Sequence, residues 1–125
     1  MLKIQPSTLY SVVSDTTSIR LSESYYRYDN VEEIHITFDT DMYMYCVIAR
    51  VNVLGKLSQC RLWIDEEGNV DSYQCHRLFE TKQRDSSIVS YERDCPWCNE
   101  ESACGDIGAV LLKLAALPDE TIPFH

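Results

Sequence analysis

A chain of 125 residues, 45% of them hydrophobic, has apolar surface for one modest core and leaves no room for a second domain. Its 20 acidic against 11 basic residues give a formal net charge of −9, a field that repels phosphate backbones and makes unaided nucleic-acid binding a poor expectation. With no apolar run of about 18 residues, and an N-terminus (M-L-K-I-Q-P-S) lacking the apolar stretch of a signal peptide, the expected setting is cytoplasmic and off the membrane.

Residues 1–17 form an N-terminal segment of the single domain 1–125. Residues 7–14 (S-T-L-Y-S-V-V-S) and 17–28 (T-S-I-R-L-S-E-S-Y-Y-R-Y) lack Gly and Pro. They place Leu9, Val12 and Val13, then Ile19, Tyr25 and Tyr26, at helical intervals, so two short helices are predicted. Val31 to Phe38 alternates Ile34, Ile36 and Phe38 against Glu33, His35 and Thr37, the period of a half-buried strand. After a turn at Asp39, Thr40 and Asp41, the run from Met42 to Val53 is rich in β-branched and aromatic residues, with Tyr43, Tyr45, Val47, Ala49, Val51 and Val53 on one face. From Leu57 a third strand puts Cys60, Leu62 and Ile64 on one side, and E-E-G-N reverses it into Val70 to Cys75. Cys46 and Cys60 fall in strand periodicity beside apolar neighbours and read as core thiols. Residues 76–94 are polar, mixed in charge and without a sustained period. They read as a long loop, with a short hairpin around Ile88 to Tyr91 as an option.

The stretch from Cys95 to Leu117 joins a thiol cluster to the most strongly patterned helix. Val110, Leu111, Leu114 and Leu117 lie at helical spacing, Asn99 or Ser102 is available as a cap, and Pro118 marks the stop. Cys104 falls near the first turn, where the positive end of the helix dipole favours a thiolate. Residues 118–125, with two prolines, read as a linker or tail leading into more protein. In a reducing compartment clustered thiols serve better as metal ligands than as disulfides. Zinc takes four ligands in a tetrahedron, and C-x-x-C supplies two from one tight turn. The expected set is Cys75, Cys95, Cys98 and Cys104, with His76 as a substitute, one zinc per chain. A structureless segment as long as 76–94 seldom persists unsupported, and a metal would tether it.

This order of elements resembles the SWIM zinc finger of bacterial Snf-type helicases, mutator-type transposases and some eukaryotic signalling proteins, whose pattern is C-x-C, a variable gap, then C-x-H and an apolar helix. Y-Q-C-H-R stands at the first pair, and A-C-G-D-I-G-A-V-L-L-K-L resembles the second with its helix. The preceding R-L-W-I-D-E-E-G-N-V-D-S-Y-Q-C hairpin is similar to the segment before that finger, and the likeness spans about residues 18–117. Arg77 stands where the second family cysteine falls and Asp106 where the histidine falls, so the resemblance carries over Cys75 and Cys104 only. Asp106 remains an alternate oxygen ligand. The resemblance implies an accessory domain of a Snf-type helicase that contacts protein or DNA.

C-P-W-C also looks like the C-P-x-C of glutaredoxin-type oxidoreductases, but that fold places its motif early, before further βαβ units, whereas here it follows the whole meander. The neighbouring carboxylate pairs Glu32/Glu33, Glu66/Glu67 and Glu100/Glu101 read as solvated loops, and His35 and His125 have no evident nucleophile partner. With four glycines the chain has no phosphate-binding loop. Arg77, Lys82, Arg84 and Arg93 are interleaved with Glu80, Asp85, Glu92 and Asp94, which reads as a mixed solvated surface. The expected fold is therefore α+β: short N-terminal helices, an antiparallel sheet of about four strands, a zinc-bound loop, and a C-terminal helix packed on the sheet. The expected function is non-catalytic binding of a protein or a neighbouring domain, with DNA as the alternative partner and thiol redox chemistry as the second alternative.

Overall fold

The computed structural model describes residues 2–96, 98 and 102–117. Helices α1 (Thr8–Val12) and α2 (Thr16–Arg27) precede β1 (Val31–Asp39), β2 (Met44–Val53), β3 (Lys56–Ile64), β4 (Val70–Lys82) and β5 (Ile88–Asp94), and α3 (Gly105–Ala116) closes the described chain. The strands form one antiparallel sheet in the order β1-β2-β3-β4-β5, so every connection joins neighbours. The α+β class stands, but the sheet has five strands because residues 76–94 are not a loop. The fourth strand runs on to Lys82, and His76 to Lys82 pair with Asp94 to Ile88. The helical readings of 7–14 and 17–28 both correspond to helices.

Side-chain geometry sets the turns. Asp39 Oδ1 accepts the N–H groups of Asp41 and Met42, and Asp65 Oδ1 accepts those of Glu67 and Asn69. Each is a local carboxylate-to-backbone bond that favours reversal over continued strand. In the second turn Gly68 has φ +91, and a Cβ there would lie 2.3 Å from the Lys3 carbonyl oxygen, so only glycine lets the N-terminal segment lie so close.

One face of the sheet carries the core. Ile36, Val47, Val51, Cys60, Leu62 and Ile64 are buried there, facing Ile107, Val110 and Leu111 of α3. Cys46 is not a core thiol: it is only half-buried, and it alternates to the sheet face opposite Tyr45 and Val47. The third helix is buried almost all round, from Gly105 to Leu111 and at Leu114, because α2 covers the side turned away from the sheet. That second contact is made by small groups. The residues α2 buries are Ser18 and Ser22, and a Cβ on Gly108 would lie 1.9 Å from Ser22 Oγ. The Ser22 hydroxyl donates to the Ser18 carbonyl at 2.8 Å, which satisfies it inside the helix pair.

Ser102, one of the two caps foreseen for α3, does not serve as its cap. Cys104 itself is the N-cap and makes no side-chain cap bond, while Ser102 Oγ accepts the Ser14 N–H at 3.1 Å and so ties the approach to α3 to the α1–α2 link. The Ala103 N–H donates to the Val12 carbonyl in the same place. The helix ends at Ala116, before Pro118; Asn99, Pro118 and the 118–125 tail lie outside the described residues.

Candidate metal centre

Cys75 sits on β4 and faces the core, where the sequence alternation points it. Cys95 directly follows β5, and its N–H donates to the Cys75 carbonyl at 2.9 Å, so the open end of the β4–β5 hairpin delivers two thiols side by side. Cys98 is half-buried in the connection, and its sulfur accepts the Cys104 N–H at 3.3 Å. Cys104 ends that connection at the start of α3. The four Sγ atoms lie within 4.8 Å of one another. In a tetrahedral thiolate site, Zn–S bonds of about 2.3 Å place the sulfurs about 3.8 Å apart, so a contraction of at most about 1 Å converts the cluster into a coordination shell. All four cysteines of the expected ligand set are brought together, and they can hold a metal ion.

The alternates fare differently. His76 points to the opposite face of the sheet, where Nδ1 lies 3.3 Å from Glu92 Oε2 and Nε2 lies 3.5 Å from Asp94 Oδ1; β4 has no bend at that point to bring it back. Asp106 is buried beside the cluster without joining it. Its Oδ2 accepts the Ser58 hydroxyl at 3.3 Å and the thiols of Cys75 and Cys104 at 3.8 and 3.9 Å. Cys60, the cross-strand partner of Cys75, brings its thiol to 4.0 Å from Cys75 Sγ. None of the six cysteines is in a disulfide.

The electrostatics describe a site that stores protons until a metal takes their place. Contacts from Cys104, Cys60 and Cys95, with burial added, push the Cys75 thiol far above its ordinary range although Cys98 pulls it down. Cys104 opposes the rise at Cys98 and Cys75 opposes it at Cys104, yet in both the other thiols and burial win, and both are pushed up. The Cys104 thiol is thus raised at the start of α3, not lowered as its place near the helix N-terminus predicts. Burial, then Cys95, raises the Asp106 carboxyl against the lowering effects of Arg77 and Ser58. Tyr73, raised by burial and then by Cys98 and Cys104, also borders the cluster.

Sequence reasoning missed Ser58, Cys60 and Tyr73 as neighbours of the site. Cross-strand register places Cys60 opposite Cys75, and the alternation of core-facing positions was the available signal. It also missed the relation of Arg77 to Asp106. The two residues that depart from the resembled pattern line one cavity of about 530 Å³, together with Cys104, Gly105 and Tyr25.

Compared with family models, curated proteins and solved structures, the chain matches none. Among the described residues no helix is long and apolar enough to cross a membrane.

Proposed function

We propose that the chain is a cytoplasmic, non-catalytic interaction module organised by one structural zinc held by Cys75, Cys95, Cys98 and Cys104. The observation that carries this reading is the mutual approach of four thiols to within 4.8 Å. A set of four thiolates closes the tetrahedron and leaves no open position for substrate, the pattern of a structural rather than a catalytic zinc. Soft sulfur ligands in that geometry also suit iron, so the metal must be identified directly. Bound there, zinc would clasp the end of the β4–β5 hairpin to the first turn of α3 and restrain the connection from Cys95 to Cys104. That replaces the tether expected for residues 76–94, which their own strand pairing already supports.

A four-cysteine zinc site carries two net negative charges, and Asp106 beside it adds acceptor oxygens that buried Ser58 and nearby Arg77 offset. In this reading Arg77 and Asp106 stand at the two ligand positions of the SWIM pattern without serving as ligands and line one cavity beside the site, while Cys95 and Cys98 supply the missing sulfurs. We retain the accessory domain of a Snf-type helicase as the proposed setting, with protein or a neighbouring domain as partner.

Elemental analysis of protein purified without chelator tests the centre: about one zinc per chain is expected. Protein that purifies folded in the absence of chelator yet carries no metal would refute it, and stoichiometric iron would reassign it. Helicase motifs in the same polypeptide would support the proposed setting, and a reading frame without them would remove it.

A further inference from the structure

The β4–β5 hairpin sorts charges that are interleaved in sequence. Alternation along the paired strands puts His76, Glu80, Glu92 and Asp94 on one face, as the contacts of His76 with Glu92 and Asp94 show. The other face, continuous with the core side of the sheet, carries Arg77 opposite Arg93, followed by Phe79. Arg93 lies over the Phe79 ring at 5.9 Å. Lys56 begins β3 alongside, and Lys56, Arg77 and Phe79, with Glu80 as the one acid, line a hollow of about 520 Å³.

Three features of this face suit an anionic partner. Strand register sets Arg77 directly opposite Arg93, with Lys56 alongside, so positive charge is concentrated here. Arg77 and Lys56 both line the hollow, so a ligand lying in it meets two cationic side chains. Phe79 is 38% exposed and offers an apolar platform beside the guanidinium groups. The partner is also constrained by the rest of the chain. A net charge of −9 repels a polyanion along its whole length, whereas a segment with a few carboxylates meets only the local basic face. Among the described residues β5 is the edge of the sheet, so its outer backbone groups are open to an added strand, a mode available to a peptide and not to a nucleic acid.

We propose that this face of the hairpin docks an extended acidic peptide segment, its carboxylates on Arg77, Arg93 and Lys56 and an aromatic or aliphatic side chain on Phe79. The proposal rests on the interaction-module reading and names the chemistry of its partner.

Fluorescence anisotropy tests it on the full metal-loaded chain, with metal content measured in the same preparation. Three labelled probes of equal length are compared: a peptide alternating Glu and Phe, the same peptide with Lys for Glu, and an oligothymidylate. The Glu/Phe peptide is expected to bind, and Arg93→Gln and Phe79→Ser, both chosen because they leave the cysteines and Asp106 intact, should each weaken it at least tenfold. Lys82→Gln on the opposite face should leave binding unchanged. Absence of binding at millimolar peptide, or equal binding by the Arg93 and Phe79 variants, would overturn the proposal. So would tighter binding of the oligothymidylate with the same variant sensitivity, which would make the face a nucleic-acid surface. Peptide binding by protein found to lack metal would support the docking face while refuting the metal centre.

Discussion

Metal loading at pH 9 should expel about three protons per ion, and the number follows from the environment of the thiols. An ordinary cysteine near 8.5 is only about a quarter protonated at pH 9, so four ordinary ligands would release about one proton in total. Here Cys75 and Cys104 are buried and held as thiols far above that range, and the half-buried Cys98 is pushed the same way. Each must shed its proton to become a thiolate ligand, which gives about three before any contribution from Cys95. The consequence for affinity is steep. With one power of ten per proton, binding should strengthen about a thousandfold from pH 9 to pH 10, where a site of ordinary thiols would have levelled off. The assay is titration of zinc into metal-free protein at pH 9, repeated calorimetrically in buffers of different ionisation enthalpy, with a competing chelator reporting affinity. Release of about one proton, with affinity flat above pH 9, would show that the thiols do not crowd and desolvate one another as this structure has them.

Two further outcomes follow. Cys75 and Cys104 have raised thiols in the fold and ordinary ones near 8.5 when unfolded, so the metal-free fold is unaffected by them below that value. As pH rises past it the unfolded chain sheds protons that the folded chain keeps, and stability should fall by about 3 kcal/mol per pH unit for the pair; urea denaturation of chelator-treated protein showing equal midpoints at pH 8 and pH 10 would contradict this. Gly108→Ala would place a Cβ 1.9 Å from Ser22 Oγ, 2.7 Å from Ser22 Cβ and 2.8 Å from Leu9 Cδ1. Overpacking of about 1–3 kcal/mol should outweigh the helix-propensity gain of about 1 kcal/mol, with a lowered Tm that Ser22→Gly partly restores; a variant as stable as the parent would mean that α2 does not lie on α3 in this way.

Those elements that the sequence revealed are the ones whose period is enforced by a single buried face. Ile34, Ile36 and Phe38 alternate with exposed neighbours, and Cys60, Leu62 and Ile64 all turn inward, so β1 and β3 announce themselves. The strand pairing of 76–94 gave no such signal, because the outer half of that hairpin has no buried face to impose a period: Phe79, Ile88 and Val89 are all exposed. Burial of α3 on two sides was hidden for a different reason. Its second contact is made by glycines against serines, and an apolar pattern cannot report a contact built from the absence of side chains. Of the expected interval in α2, Ile19 and Tyr25 do pack against the core, but Tyr26 is 38% exposed and the buried positions are Ser18 and Ser22, which an apolar pattern does not mark.

At the candidate centre, Cys95, Cys98 and Cys104 were legible because they stand in or beside the connection from β5 to α3, where the chain changes direction, whereas Cys75 lies within β4 rather than at a strand end and reaches them through the inward alternation of that strand. Their surroundings were not, since Ser58, Cys60 and Arg77 reach the site only through strand register, which a one-residue slip would reverse. The interleaved charge run is largely exposed, as a mixed solvated surface should be, but strand register re-sorts it. Arg77 and Arg93 are separated in sequence by Glu80 and Glu92, yet alternation removes both acids to the far face and leaves the two arginines opposed. Arg77 then faces two demands at once: it lowers the Asp106 carboxyl beside the thiols, and it leaves Nε buried without an acceptor. A counter-ion to the centre alone would not need Arg93 opposite it, whereas a docking face alone would not need Asp106 behind it. Because Arg77 stands between the two, loss of the metal charge should be felt at the hairpin face, and the acidic peptide should bind metal-loaded and metal-free protein with different affinity. Equal affinity in the two states, measured by the same anisotropy assay, would show that the centre and the hairpin face are electrostatically independent.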